Sequence, residues 1–177
     1  MFWIGITIFG LEIKLQETTT TKEKLFRTLV RMETMAETLF CSFNLPEINP
    51  DELSPAVWAY VGDAVYELFV RSSLVAVGPN KTKNLHKDAV AKVRASYQAE
   101  MIKLLEPHMT AGEQEIIKRG RNVKSGHVPA GSDVITYRHS TAFEALIGYL
   151  YLSHQHVRLS EIFIVIAQNG GESYDKS

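Results

Sequence analysis

The sequence has almost no cysteine. Cys41 is the single one, so no internal disulfide can brace the fold, and a reducing compartment, the cytoplasm, suits the chain. Long hydrophobic runs are missing as well. The apolar start, MFWIGITIFGL, falls short of the ~20 residues that a bilayer span requires. It has no basic residues ahead of the apolar run and no small-residue cleavage site, so it reads as neither signal peptide nor membrane helix. No sign of charge dominates: the formal net charge is −1, and total charge does not announce a nucleic-acid protein. Neither a P-loop, a dinucleotide fingerprint nor a nucleophile elbow is present, which removes the commonest nucleotide-binding and acyl-transfer classes. His154 and His156 stand two apart, on different sides of a helix, and make a poor zinc pair. The tyrosines are scattered, without a stacking motif for single strands.

What is present fits one domain with a proper core: 177 residues, 45 % of them hydrophobic. Residues 1–46 read as a loosely ordered extension, 47–170 as the folded domain and 171–177 as a tail. Met1, Met32 and Met35 are all candidate translation starts, and the sequence does not choose among them. Charge is distributed unevenly. Residues 1–53 carry 8 acids and 5 bases, whereas residues 81–138 carry 11 bases and 6 acids. A neutral total therefore conceals a basic central region.

The hydrophobic period is helical nearly throughout, and no strand or internal repeat stands out. Ser54-Pro55 supplies an N-cap and a proline at the first helical position, opening a helix to about Ala76 that stops at Gly78-Pro79. Val57, Val61, Ala64, Leu68 and Phe69 form its apolar stripe, widened by Tyr60 and Val65, and a helix so apolar all round is expected to be buried. A single amphipathic helix is expected over 82–105, with Leu85, Ala89, Val93, Met101 and Leu104 inward. Thr110 and Glu113 have capping-box spacing and open a short helix to about Arg119. Residues 120–135, rich in Gly, Ser, Asn and Pro, read as loop. Two further helices follow, over about 137–153 and 158–168. The fold class is all-α.

The chemistry is concentrated in two carboxylates. Asp63 is the only charge in PAVWAYVGDAVY, and Glu144 the only charge in TAFEALIGYLYL. Burying a carboxylate is costly without a cation, a metal or several donors. Each helix also carries a glycine beside its acid, Gly62 and Gly148, at ~1 kcal/mol against alanine, which implies close packing or a site. Helices crossing at these glycines would bring Asp63 and Glu144 together. Two such carboxylates repel unless a divalent cation lies between them, and magnesium suits this because waters and phosphate oxygens complete its shell. Blander readings stand beside this one. Asp63 can pair with Arg138, and Glu144, three residues after Thr141, can be a capping-box glutamate. Glu67, one turn beyond Asp63, is either a further ligand or half of an i,i+4 ion pair with Arg71. The loop region supplies a second group: Lys118, Arg119, Arg121, Asn122 and Lys124, then Arg138 and His139. It reads as a phosphate grip or as a solvated charged loop.

These residues carry a family resemblance. Ala59-Tyr-Val-Gly-Asp-Ala-Val65 resembles the signature helix of ribonuclease III, and Ser140 to Gly148 its second acidic helix. Arg119-Gly-Arg-Asn-Val-Lys-Ser-Gly126, with Asp133 and Tyr137-Arg138, is similar to the Mini-ribonuclease III subfamily. The resemblance spans about residues 50–170. It implies the helical ribonuclease III endonuclease-domain fold without an attached double-stranded RNA-binding module. It also implies a homodimer, Mg2+ as cofactor and hydrolysis of double-stranded RNA to 5′-phosphate ends. Asp63 and Glu144 take the catalytic and metal-ligand roles. The implied substrate is the precursor of large-subunit (23S) ribosomal RNA, with a ribosomal protein on it as a further partner. The alternative is a catalytically inactive, RNA-binding member of the same fold. Longer ribonuclease III enzymes place acids at the positions of Ala56, Ala59 and Thr141, and the subfamily resembles this chain in lacking them. Their absence leaves the number of metal ions per site open.

Overall fold

The computed structural model describes residues 5–8, 11–14, 48–78, 80–123 and 133–169. They fall into two compact units, one made of residues 48–155 and the other of the chain on either side of it.

Among the described residues of the unit 48–155, every regular element is a helix. Ser54 caps α1 (Pro55–Val77) by accepting from the Val57 N–H, Pro55 occupies the first turn, and Gly78 ends the helix at a φ of 142°. Next come α2 (Thr82–Val93) and α3 (Ala95–Leu105). Thr110 and Glu113 close the expected capping box at the start of α4 (Ala111–Arg121), through bonds of 3.2 and 2.7 Å. Finally Asp133 caps α5 (Val134–Leu152), accepting from the Thr136 N–H at 3.0 Å.

The core is built around α5. Ser140, Ala142, Phe143, Ala145, Leu146, Ile147, Gly148 and Leu150 are all buried, and only Thr141, Glu144 and Tyr149 on its middle turns keep partial exposure. Helices α1, α3 and α4 do the covering. Trp58 and Tyr66 enter from α1, Tyr97 and Ile102 from α3, and Ile116 and Ile117 from α4. Tyr66 stacks edge-on against Phe143 at 4.8 Å.

Several boundaries differ from the sequence expectation, each for a physical reason. The stretch 82–105 is two helices, because Arg94 is extended (φ −63°, ψ 148°). The buried Tyr66 hydroxyl donates to the Lys92 carbonyl at 3.2 Å, taking an acceptor that a continuous helix would have offered to residue 96. Arg94 carries no glycine or proline signal, so the break follows from tertiary packing. Residues 120–121 and 134–135, expected as loop, are helical. Gly120 serves packing: a Cβ there would stand 2.7 Å from the Ala142 Cα and 3.1 Å from the Ala145 Cβ. The apolar stripe of α1 is rotated from its expected face. Trp58, Ala59, Gly62, Tyr66 and Val70 are buried, while Val57 and Leu68 are 42 % and 50 % exposed. Both sides of α1 are apolar, and the side holding the glycine and the two large aromatic rings is the one that fits against α5.

In the second unit, β1 (Gly5–Ile8) and β2 (Leu11–Lys14) form an antiparallel pair, with Gly5 opposite Lys14 and Ile8 opposite Leu11. This hairpin was not expected from sequence, since four-residue strands are too short to show a period of two. The unit also contains α6 (His156–Asn169). Among the described residues no helix is long and apolar enough to cross a membrane.

Candidate active site

Helices α1 and α5 cross at their two glycines. A Cβ on Gly62 would overlap the backbone carbonyl oxygen of Glu144 and lie 2.7 Å from the Gly148 N. A Cβ on Gly148 would overlap the Trp58 carbonyl oxygen and lie 2.8 Å from the Gly62 N. The two backbones therefore touch at the positions of the acids, since Asp63 follows Gly62 and Glu144 itself supplies the contacting carbonyl. Only glycine permits such an approach.

The two carboxylates feel each other. Burial pushes the Glu144 pKa up to about 7, and the negative charge of Asp63 adds to the rise. The side chains of Gln98 and Ser140 act the other way, favouring the charged form. Asp63 is more exposed, and its pKa is raised by partial desolvation and by the Glu67 carboxylate.

The blander readings of both acids fail on geometry. Glu144 is not a capping residue, because α5 begins ten residues before it and Thr141 donates its hydroxyl to the Tyr137 carbonyl at 3.1 Å. Among the described residues Asp63 makes no ion pair with Arg138. Glu67 forms the ion pair foreseen with Arg71, at 3.2 Å. It lies near enough to act on Asp63, yet the described residues hold no group of three or more His, Cys, Asp or Glu placed to bind a metal ion. Two carboxylates alone suit magnesium, which keeps waters and takes phosphate oxygens, and do not suit zinc, which wants nitrogen or sulfur ligands.

The basic residues separate into two places. Lys118, Arg121, Asn122, Arg138 and His139, with Ile135, line a pocket of about 250 Å³ between the end of α4 and the start of α5. Arg119 points elsewhere: its guanidinium stacks on the Trp58 ring at 4.3 Å. Lys124 lies outside the described residues. His139 joins Arg138 at the pocket, as the sequence placed it, whereas the sequence reading did not select Gln98 or Ser140 for the site. For Gln98 a signal existed, a lone amide among the apolar positions Tyr97, Ala99, Met101 and Ile102. Ser140 stands one helical turn before Glu144.

This geometry belongs to a known class. The ribonuclease III domain family matches residues 56–155, a stretch that contains both acids and the basic pocket. The chain belongs to the ribonuclease III family, within its Mini-ribonuclease 3 branch. It is 44 % identical over 116 residues to the Mini-ribonuclease 3 of a Thermoanaerobacter species, covering 66 % of this chain and 82 % of that protein. It is 47 % identical over 114 residues to the Mini-ribonuclease 3 of Brevibacillus brevis, covering 64 % and 85 %. The crystal structure of a Fusobacterium nucleatum protein superposes with a TM-score of 0.61 at 30 % identity, covering 67 % of this chain and 95 % of that one.

Proposed function

We propose that this protein is a magnesium-dependent endoribonuclease that hydrolyses phosphodiester bonds in double-stranded RNA, leaving 5′-phosphate and 3′-hydroxyl ends. The observation that carries the reading is the pair of mutually repelling carboxylates on helices pressed together at Gly62 and Gly148. Asp63 and Glu144 would hold a magnesium ion, which when bound would supply an activated water and offset charge on the scissile phosphate. Their backbones are fixed by the helix crossing, so only the side-chain torsions remain to be set when the ion arrives. Glu144, with its raised pKa, is ready for the ion only after losing its proton.

Lys118, Arg121, Asn122 and Arg138 grip the backbone of the duplex in the pocket. Arg138 precedes Glu144 by six residues, so grip and chemistry sit on one helix, ~9 Å apart along its axis. Backbone recognition suits A-form RNA, whose deep major groove hides the base edges from side chains.

Cutting both strands calls for two sites related by a two-fold axis, and the chain acts as a homodimer. The outward face of α1, with Val57, Tyr60 (81 % exposed), Ala64 and Leu68, supplies an apolar stripe for the contact. The cellular role is maturation of the large-subunit ribosomal RNA precursor in the cytoplasm, with a ribosomal protein on the substrate as a further partner. The relatives' name, Mini-ribonuclease 3, supports the nuclease reading. A long RNA duplex incubated with the protein and magnesium tests it. Fragments with 5′-phosphate ends, absent when a chelator replaces the metal, are the expected result. Binding without cleavage would identify an inactive RNA-binding member of the family.

A further inference from the structure

Gln98 is fully buried on α3 and faces α5. Its Oε1 accepts a 2.6 Å hydrogen bond from the Ser140 hydroxyl. Its Nε2, with two N–H donors, has neither solvent nor a hydrogen-bond partner. An unpaired buried amide is costly, and helix packing alone would be served as well by a methionine or leucine. The amide lies near enough to the Glu144 carboxyl to favour its charged form, yet closes no hydrogen bond of normal length with it. Ser140 has one proton, which goes to Gln98, and its oxygen stands 3.5 Å from Glu144 Oε1. Both side chains thus border the acid without holding it.

We propose that Gln98, together with Ser140, is a positioning residue for Glu144: its spare N–H groups engage the carboxylate once that side chain turns to hold a divalent cation, fixing one oxygen toward the ion. The proposal rests on the reading that Asp63 and Glu144 hold the ion. The physics is that of any carboxylate ligand. A glutamate side chain has three rotatable bonds, and a donor behind it selects the rotamer that binds. Loss of such a donor commonly lowers metal affinity 10–100-fold. The RNA grip at the basic pocket does not involve Gln98, so binding of the duplex is left alone.

Calorimetric titration of Mn2+ into the RNA-free full chain tests this, with single-turnover cleavage measured alongside. Gln98→Met keeps the volume of the side chain and removes the amide. The expected result is Mn2+ affinity lowered at least tenfold, a cleavage rate lowered to match, an unchanged KM for duplex RNA, and metal-free melting equal to or above the parent's. In a Glu144→Gln background the same change should have no further effect on Mn2+ affinity, since the two residues act as a unit. Mn2+ affinity and cleavage within twofold of the parent would overturn the proposal and leave Gln98 as packing. Should Gln98→Met not fold, Ser140→Ala deletes only the hydroxyl that anchors the amide, and unchanged Mn2+ affinity there overturns the proposal equally. Retained Mn2+ binding in Glu144→Gln alone would instead sink the site reading itself, which separates the two failures.

Discussion

Glu144 illustrates how one residue links stability to chemistry. Its folded pKa of about 7 lies above the model-peptide value of 4.5, so the folded metal-free chain holds the proton more tightly than the unfolded chain does. The stability this gives is fully present below pH 4.5 and is lost as pH rises through about 7. The shift corresponds to something on the order of 3 kcal/mol between those limits. Metal-free protein should therefore melt lower at pH 8 than at pH 5, and Glu144→Gln should flatten that difference and raise the melting temperature at pH 8. Magnesium should restore stability at pH 8 and have little effect at pH 5, where the proton competes for the carboxylate. A pH series of melting curves, with and without magnesium, checks all of this. Equal pH dependence in parent and variant would remove Glu144 as its source. That Asp63 and Glu144 come together was legible from the glycine beside each acid, whereas the exposure of Asp63 was not, since a lone acid in an apolar helix reads as buried. Gln98 showed only as a lone amide among apolar positions, and such an amide reads as costly only once its missing partners are known.

At the scale of elements, the site depends on the α1–α5 crossing. Gly62→Ala places a methyl group on the Glu144 carbonyl, and a backbone atom cannot move aside as a side chain can. The variant should lose on the order of 4 kcal/mol or more, which at ~2–4 °C per kcal/mol lowers melting by more than ~8 °C. Gly112→Ala, on an exposed turn of α4 where a Cβ meets only the Thr110 Oγ1 at 3.9 Å, should melt at or slightly above the parent. Similar losses at both glycines would mean that the crossing is not what holds the acids. This crossing was readable from the paired glycine-acid motifs, as were the caps at Ser54 and Thr110. The break at Arg94 was not, because it is made by Tyr66 from another helix. The buried side of α1 was not either, since an apolar residue lies on both sides and periodicity cannot choose between them. The same element scale separates grip from chemistry. Replacing Lys118 and Arg121 by alanine should weaken duplex binding and flatten its salt dependence by about 1–2 in the log–log slope, at ~0.9 per phosphate contact with duplex DNA as guide. Arg119→Ala, which unstacks Trp58, should instead lower melting while leaving the slope nearly unchanged. A salt titration of binding distinguishes the pocket from the stacked arginine, and an unaltered slope in the double variant would make the pocket a bystander.

For the whole molecule, the exposed stripe of α1 is expected to meet its own copy. Leu68→Lys puts a charge in that stripe without touching the buried face. Light scattering at micromolar concentration should then read a dimer for the parent and a monomer for the variant, and a monomeric, fully active parent would rule out the paired-site arrangement. The central claim is that Asp63 and Glu144 hold the ion that cuts RNA. Glu144→Gln tests it most directly, because it keeps shape and removes charge. The measurement is the single-turnover cleavage rate of a long RNA duplex in magnesium, taken with the melting temperature and duplex affinity of the same sample. The account requires a rate lower by orders of magnitude, a melting temperature equal to or above the parent's, and unchanged duplex binding. A folded variant that cuts at a near-parental rate would contradict it.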